Sequence, residues 1–407
     1  MMQHSHPTLR FADIFPPRRH SLREFHAPAR VRLTYNGRGA FYQLLRSLPQ
    51  EKGSAVLLPA FHCTALVEPV QRAGYQVRFY RIRPDLTVDF EDVNQKMSSQ
   101  IAAIVAIHYF GFPTPLDPFL ELGRKYGSRV VEDCAHSFLS RQSGNYVGHR
   151  GDFAIFSYYK FAPSLAGGGL GINHSECSLG LSAAPILLRD RLIVMKRLAE
   201  QVLENAPGYP LTRIFFWTER KRVQRKSSAD ANASPSRFVD DPYLFREDLA
   251  LAGMPRLCRF VLECCDWEKI REARQRNYRL FSELIVDNAF LRRLFPDLPG
   301  NVCPWAFPIL LEDRLLHEQT LRAQGVPLFT FGEILHPLLA ATQDGARGDA
   351  EYLSRRLLLL PVDAQQSEQD VRVCAEKINE YARAFLDSGG CADANGEATT
   401  LSKGRAR

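Results

Sequence analysis

Short apolar runs alternate with helical periodicity through most of this chain, and that alternation limits the possible folds more than any other feature. Residues 55–58, 76–80, 101–107, 129–132 and 153–156 are apolar, bounded and short, which reads as buried strands. Residues 64–73 and 116–126 between them carry the helical pattern. Strands joined by helices imply a mostly parallel sheet covered on both faces, with right-handed crossovers. The expected class is therefore α/β. Further helices are expected over 183–204 and 267–284, leading to a smaller α+β domain with a strand at 307–311 and helices at 315–324 and 368–385.

The 407 residues, 45% hydrophobic and 24% charged, suffice for two globular domains. Their expected bounds are an irregular arm rich in proline, histidine and arginine over 1–33, a large domain over 34–262, a small one over 263–387 and a disordered tail over 388–407. A flexible insertion is expected near 219–237, where Ser227-Ser-Ala-Asp-Ala-Asn-Ala-Ser-Pro-Ser236 follows the basic run Arg220-Lys-Arg-Val-Gln-Arg-Lys226. That run reads as a solvated helix face, with anionic lipid as the sharper alternative and no nucleic-acid partner expected. Nine cysteines without a Cys-x-x-Cys pair argue against a disulfide framework or a metal site and for a reducing compartment. No run approaches the ~20 apolar residues that span a bilayer, so a cytoplasmic protein is expected.

Two of the strands end in chemistry. Val130-Val-Glu-Asp133-Cys-Ala-His136 ends in a carboxylate and an imidazole, and Phe153-Ala-Ile-Phe-Ser157-Tyr-Tyr-Lys160 in a hydroxyl and an amine. Open α/β sheets bind ligands at such carboxyl ends. Pyridoxal phosphate needs a lysine for its aldehyde and a carboxylate to keep its ring nitrogen protonated. Lys160 and Asp133 suit those tasks, and His136 could hydrogen-bond the phenolic oxygen. Ser157 and the helix start Asn36-Gly-Arg-Gly-Ala40 are candidates for the phosphate. Each residue also has a bland reading: a solvated lysine, an aspartate helix cap, a core histidine, a turn serine. Together, in order and at these spacings, the bland readings require several independent coincidences.

From about residue 35 to 385 the chain resembles the DegT/StrS-type (DegT/DnrJ-like) sugar aminotransferases. The shared pieces, in the family's order, are Gly37-Arg-Gly-Ala40, Leu58-Pro-Ala-Phe-His62, Ile107-His-Tyr-Phe-Gly111, Glu132-Asp133, Gly151-Asp152-Phe-Ala-Ile-Phe-Ser157, Gly167-Gly-Gly169, Trp305-Ala-Phe-Pro308 and Leu357-Leu-Leu-Leu-Pro361. The resemblance implies a fold-type-I pyridoxal phosphate enzyme with a seven-stranded-type sheet. It makes Lys160 the Schiff-base lysine, Asp133 the ring-nitrogen partner, and Ser157, Arg38, Gly39 and Ala40 phosphate contacts. It also implies a homodimer. Two residues separate Ser157 from Lys160 where the family usually has four, and His136 stands where it usually has glutamine. Cys63 replaces a common aromatic, which leaves His62 as the expected ring-stacking side chain. The family's Gly-x-Asn-rich loop has no clear counterpart between Ser227 and Leu257, and Arg38 would supply that charge.

The expected activity is transfer of an amino group, with glutamate as donor, to a nucleotide-linked keto sugar for polysaccharide or secondary-metabolite synthesis. A sugar dehydratase of the same fold is disfavoured because such members replace the lysine with histidine. A catalytically silent member, binding cofactor or sugar nucleotide as sensor or scaffold, is the alternative from another class.

Overall fold

A computed structural model describes residues 7–10, 21–26, 30–50, 54–173, 184–205, 245–340 and 345–389. The basic run, the insertion at 219–237, most of the arm and the tail beyond 389 lie outside the described residues.

The apolar runs become the strands β1 (Arg30–Thr34), β2 (Ala55–Pro59), β3 (Gln76–Tyr80), β4 (Ile101–Ile107) and β5 (Arg129–Asp133). A hairpin of β6 (Arg141–Gln142) and β7 (Asn145–Tyr146) precedes β8 (Phe153–Ser157) and β9 (Gly168–Ile172). Seven of these form one sheet in the order β1-β9-β8-β5-β4-β2-β3. Strands β3, β2, β4, β5 and β8 run parallel, whereas β9 is antiparallel to both its neighbours. Every residue of β2 and β8 is buried, as expected of strands that read as unbroken apolar runs. Burying each such Leu, Ile or Phe side chain contributes roughly 1.5–3 kcal/mol.

One expectation needs correcting. Residues 30–33 were expected to belong to an irregular arm, yet Arg30–Thr34 is an edge strand paired along its length with β9. That pairing is set by a partner far along the chain, so the local composition of the arm concealed it. Just upstream, a 3₁₀ turn at Leu22–His26 packs Phe25 edge-on to Phe138 and Trp267 and hydrogen-bonds His26 to Tyr158. The helix expected from residue 183 begins at Leu188.

The first helix, α1 (Gly37–Ser47), packs against β8 and β9, and Asp117–Tyr126 packs against β4 and β5. Residues beyond the large sheet form β10 (Leu291–Arg293), β11 (Ala306–Leu311) and β12 (Leu357–Pro361), an antiparallel trio with its own core around Phe281, Phe307, Leu358 and Ile378. Helix Trp267–Leu284, capped by Asp266, lies along helix Glu368–Asp387, which starts at a Ser367–Asp370 capping box. The link between the two sheets is tight at the turn after β4. Phe110 and Gly111 both have positive φ there, and a Cβ on Gly111 would run into the Cys303 carbonyl.

Candidate active site

The parallel register of β5 and β8 sets Asp133 opposite Ile155, so Asp133, Ser157 and the turn bearing Lys160 emerge at neighbouring carboxyl ends. The amino end of α1 meets this edge: a Cβ on Gly37 would collide with Ser157 Oγ, and one on Gly168 with the Asn36 carbonyl. Only glycine permits that approach. A side-chain hydrogen bond joins Ser157 to Tyr159, and the Arg38 charge acts on Tyr159, which gathers a hydroxyl, a phenol and a guanidinium at a helix amino terminus.

Gly39 and Ala40 have other tasks. The Gly39 amide donates to Asn36 Oδ1 at 2.8 Å and the Ala40 amide to the Asn36 carbonyl at 3.0 Å, as in an ordinary capped helix. A Cβ on Gly39 would lie 2.8 Å from the Ala250 carbonyl, so packing explains that glycine. Gly37 and Ser157 stand in contact at the amino end of α1, and the Gly39 and Ala40 amides are both bonded within the cap.

Lys160 is half-buried, with Nζ 4.9 Å from the centroid of the Trp305 ring. Burial lowers its pKa, partly offset by Cys63 and Asp133. Asp133 moves the other way: burial raises its pKa, against the Ala135 amide that donates to Oδ1 at 2.9 Å and the charges of Lys160 and His108. An amine and a carboxylate whose pKa values approach each other in one recess are suited to holding and passing protons.

His136 stacks on Trp305 with centroids 3.9 Å apart and planes 11° apart, and lies edge-on to Phe331 at 5.0 Å. It therefore belongs to the wall that carries Lys160. His62 lies elsewhere: its ring stacks on Phe79 at 5.2 Å, and Nδ1 donates to the Pro59 carbonyl at 2.8 Å. From this turn it is Cys63, a half-buried free thiol, that acts electrostatically on Lys160, alongside Asp133. The expectation of His62 as a stacking side chain is corrected accordingly, because the chain turn after β2 directs consecutive residues to different sides.

Glu132 faces a different set of groups. Its Oε2 accepts from the Gly148 amide at 2.8 Å and meets His108 Nε2 at 3.1 Å, while Oε1 accepts from the Arg150 and Gly151 amides. Burial pushes its pKa up, but these bonds hold it below the usual carboxylate value. His108, Glu132 and Cys134 are close enough to share a metal ion. The carboxylate is already saturated by protein donors, however, and burial pushes the Cys134 thiol well up, away from the ligating thiolate.

Trp305, Tyr159 and Arg274 were missed as site residues. Trp305 and Arg274 arrive from far along the chain and have no local spacing relative to Lys160, and Tyr159 had only its place beside the lysine to signal it.

Residues 20–172 match the DegT/DnrJ/EryC1/StrS aminotransferase family. GDP-perosamine synthase of Escherichia coli O157:H7 is 30% identical over 125 residues, 30% of this chain and 34% of that protein. UDP-N-acetyl-3-dehydro-alpha-D-glucosamine 3-aminotransferase of Acidithiobacillus ferrooxidans is 28% identical over 125 residues, with the same shares of 30% and 34%. The chain spans about a third of the length of these curated relatives. Among solved structures, Helicobacter pylori PseC, an aminotransferase involved in pseudoaminic acid biosynthesis, aligns at TM-score 0.66 and 15% identity over 94% of this chain and 99% of its own. The architecture is thus that of this aminotransferase structure, and residues 20–172, which hold Arg38, Asp133, Ser157 and Lys160, are similar to the DegT/DnrJ/EryC1/StrS aminotransferase family.

Proposed function

We propose that this chain is a pyridoxal phosphate-dependent aminotransferase that moves an amino group, glutamate being the first donor to test, onto a nucleotide-linked keto sugar. The observation that carries it is the pairing of Lys160 and Asp133, an amine lowered and a carboxylate raised by burial, at adjoining strand ends. The residues present fit the cofactor. Ser157 and the amino end of α1, brought into contact at Gly37, offer a hydroxyl and a helix terminus suited to a phosphate, and Asp133 is a buried carboxylate that a protonated ring nitrogen would compensate.

When bound, pyridoxal phosphate supplies an aldehyde for the amino group and a ring that takes up electrons. The chain does the rest. Asp133 holds a proton at the ring nitrogen. Lys160 Nζ, whose lowered pKa leaves more of it neutral near pH 7, takes a proton from the donor carbon and returns it. Ser157 and the first turn of α1 fix the phosphate end, so that the proton moves between aligned atoms. Trp305 and His136 wall the amine against water.

The sugar-nucleotide substrate is supported by the activities of the two curated relatives, whose differing sugars leave the acceptor open. A homodimer and a role in polysaccharide or secondary-metabolite synthesis rest on the family resemblance, and a cytoplasmic setting on the cysteine usage and the lack of a long apolar run. Among the described residues no helix is long and apolar enough to cross a membrane.

One observation favours a second reading, a silent member that binds cofactor or sugar nucleotide: only two residues separate Ser157 from Lys160. Incubation with pyridoxal phosphate and ¹⁵N-glutamate, followed by keto sugar nucleotides and mass spectrometry, separates the two. Release of 2-oxoglutarate in proportion to protein, with ¹⁵N passed to a sugar, supports the transferase. Cofactor binding without 2-oxoglutarate supports the silent member.

A further inference from the structure

Arg274, in the middle of helix Trp267–Leu284, is 1% exposed and forms no ion pair with a carboxylate among the described residues. Asp363 acts on it only from beyond ion-pair distance, and a buried guanidinium with no carboxylate in contact is expensive, where an apolar side chain of the same volume would pack at lower cost. Its two Nη groups donate instead to backbone carbonyls, while Nε has no partner among the described residues. Nη1 donates to Trp305 at 3.1 Å and Pro304 at 3.3 Å, Nη2 donates to Lys160 at 3.2 Å, and the group lies 4.8 Å over the Phe161 ring.

The two segments joined in this way are far apart in sequence but meet through their side chains, where Lys160 Nζ rests on the Trp305 ring. Trp305 is held from its other side as well, since its amide donates to the carbonyl of Phe110 at 2.8 Å, and its ring stacks on His136. One planar fork thus spans the backbones beneath both partners of the amine–indole contact. A lysine at 274 would present a single ammonium and could not span the two carbonyls in that geometry.

We propose that Arg274 is a positioning residue that sets Lys160 against Trp305, acting through the backbone carbonyls of both. This deepens the proposed function, since it takes Lys160 as the reacting amine. Without the fork, the turn at Tyr158–Lys160 and the segment before β11 are no longer tied to a common group. The lysine then leaves its aromatic seat for water.

The test reads Lys160 directly in protein free of cofactor. An amine-acylating reagent is applied across a pH series, and the extent of Lys160 labelling is followed by peptide mass spectrometry in the parent protein and in Arg274→Met. The labelling midpoint of Lys160 is expected to rise by about one pH unit toward that of exposed lysines as the amine returns to solvent. If Arg274→Met does not fold, Arg274→Gln, which keeps a donor and removes the buried charge, serves for the same measurement. An unchanged midpoint in a folded variant, with only a lower melting temperature, would make Arg274 mere packing and overturn the proposal. Lys160→Ala, titrated separately with pyridoxal phosphate, tests the cofactor reading on its own. A cofactor band indifferent to Lys160 sinks that reading, whereas the labelling midpoint decides the role of Arg274.

Discussion

Glu132 and Asp133 are consecutive acids on one strand, both buried, and they have opposite fates. Neighbouring strand residues face opposite sides of a sheet, so each meets its own environment. Glu132 is 0% exposed, accepts from three amides and pairs with His108, and its pKa is held down. Asp133 is 7% exposed, receives the Ala135 amide, and its pKa is raised by burial. A saturated buried carboxylate is a structural part, whereas an undercompensated one beside a lysine is a place for a cation or a proton.

Removing the saturated acid is expected to have the largest effect. Glu132→Ala strands three amides and an imidazole, and should cost on the order of 3–5 kcal/mol in chemical denaturation. A loss below about 1 kcal/mol would put the two acids in the same class. Asp133→Asn should do the reverse. It leaves the denaturation midpoint nearly unchanged while cutting amine transfer by about 100-fold or more, the usual weight of a positioned proton group.

Acid sharpens the contrast. Glu132, with its folded pKa lowered, contributes stability above its ordinary value of 4.5 that is lost as pH falls through the folded value. Burial also lowers His26 to about 3 and His62 to about 4, from 6.5. Between those values and 6.5 the unfolded chain binds protons that the folded one does not, so stability falls as pH drops. The slope should be about 1.4 kcal/mol per pH unit for each imidazole. Denaturation midpoints from pH 7 to 5 in the parent and His26→Phe check this, the variant showing the shallower slope. Asp133, with its folded pKa raised, works in the opposite sense: its penalty is absent below its ordinary value of 3.8 and grows as pH rises from there through the folded value. The smallest effect belongs to the cap. Asn36→Ala should cost about 1 kcal/mol and free the Gly39 amide.

Much of this arrangement was legible because it is local. Asp133, Ser157 and Lys160 each follow a buried strand directly, and glycines at 37 and 168 mark backbones in close approach. What was illegible came from distant pairing. Strand β1 depends on β9, Trp305 reaches Lys160 from the segment before β11, and Arg274 reaches it from a helix that reads as an ordinary charged one. The exchange of His62 for Cys63 beside the lysine is a matter of which way a turn faces, and residue type alone does not encode that.

The most direct test of the central claim is the absorption spectrum of the protein with pyridoxal phosphate, before and after glutamate, beside Lys160→Ala. The account predicts a visible band that needs Lys160 and gives way to the amine form of the cofactor when glutamate is added. A spectrum identical in the parent and in Lys160→Ala would contradict it.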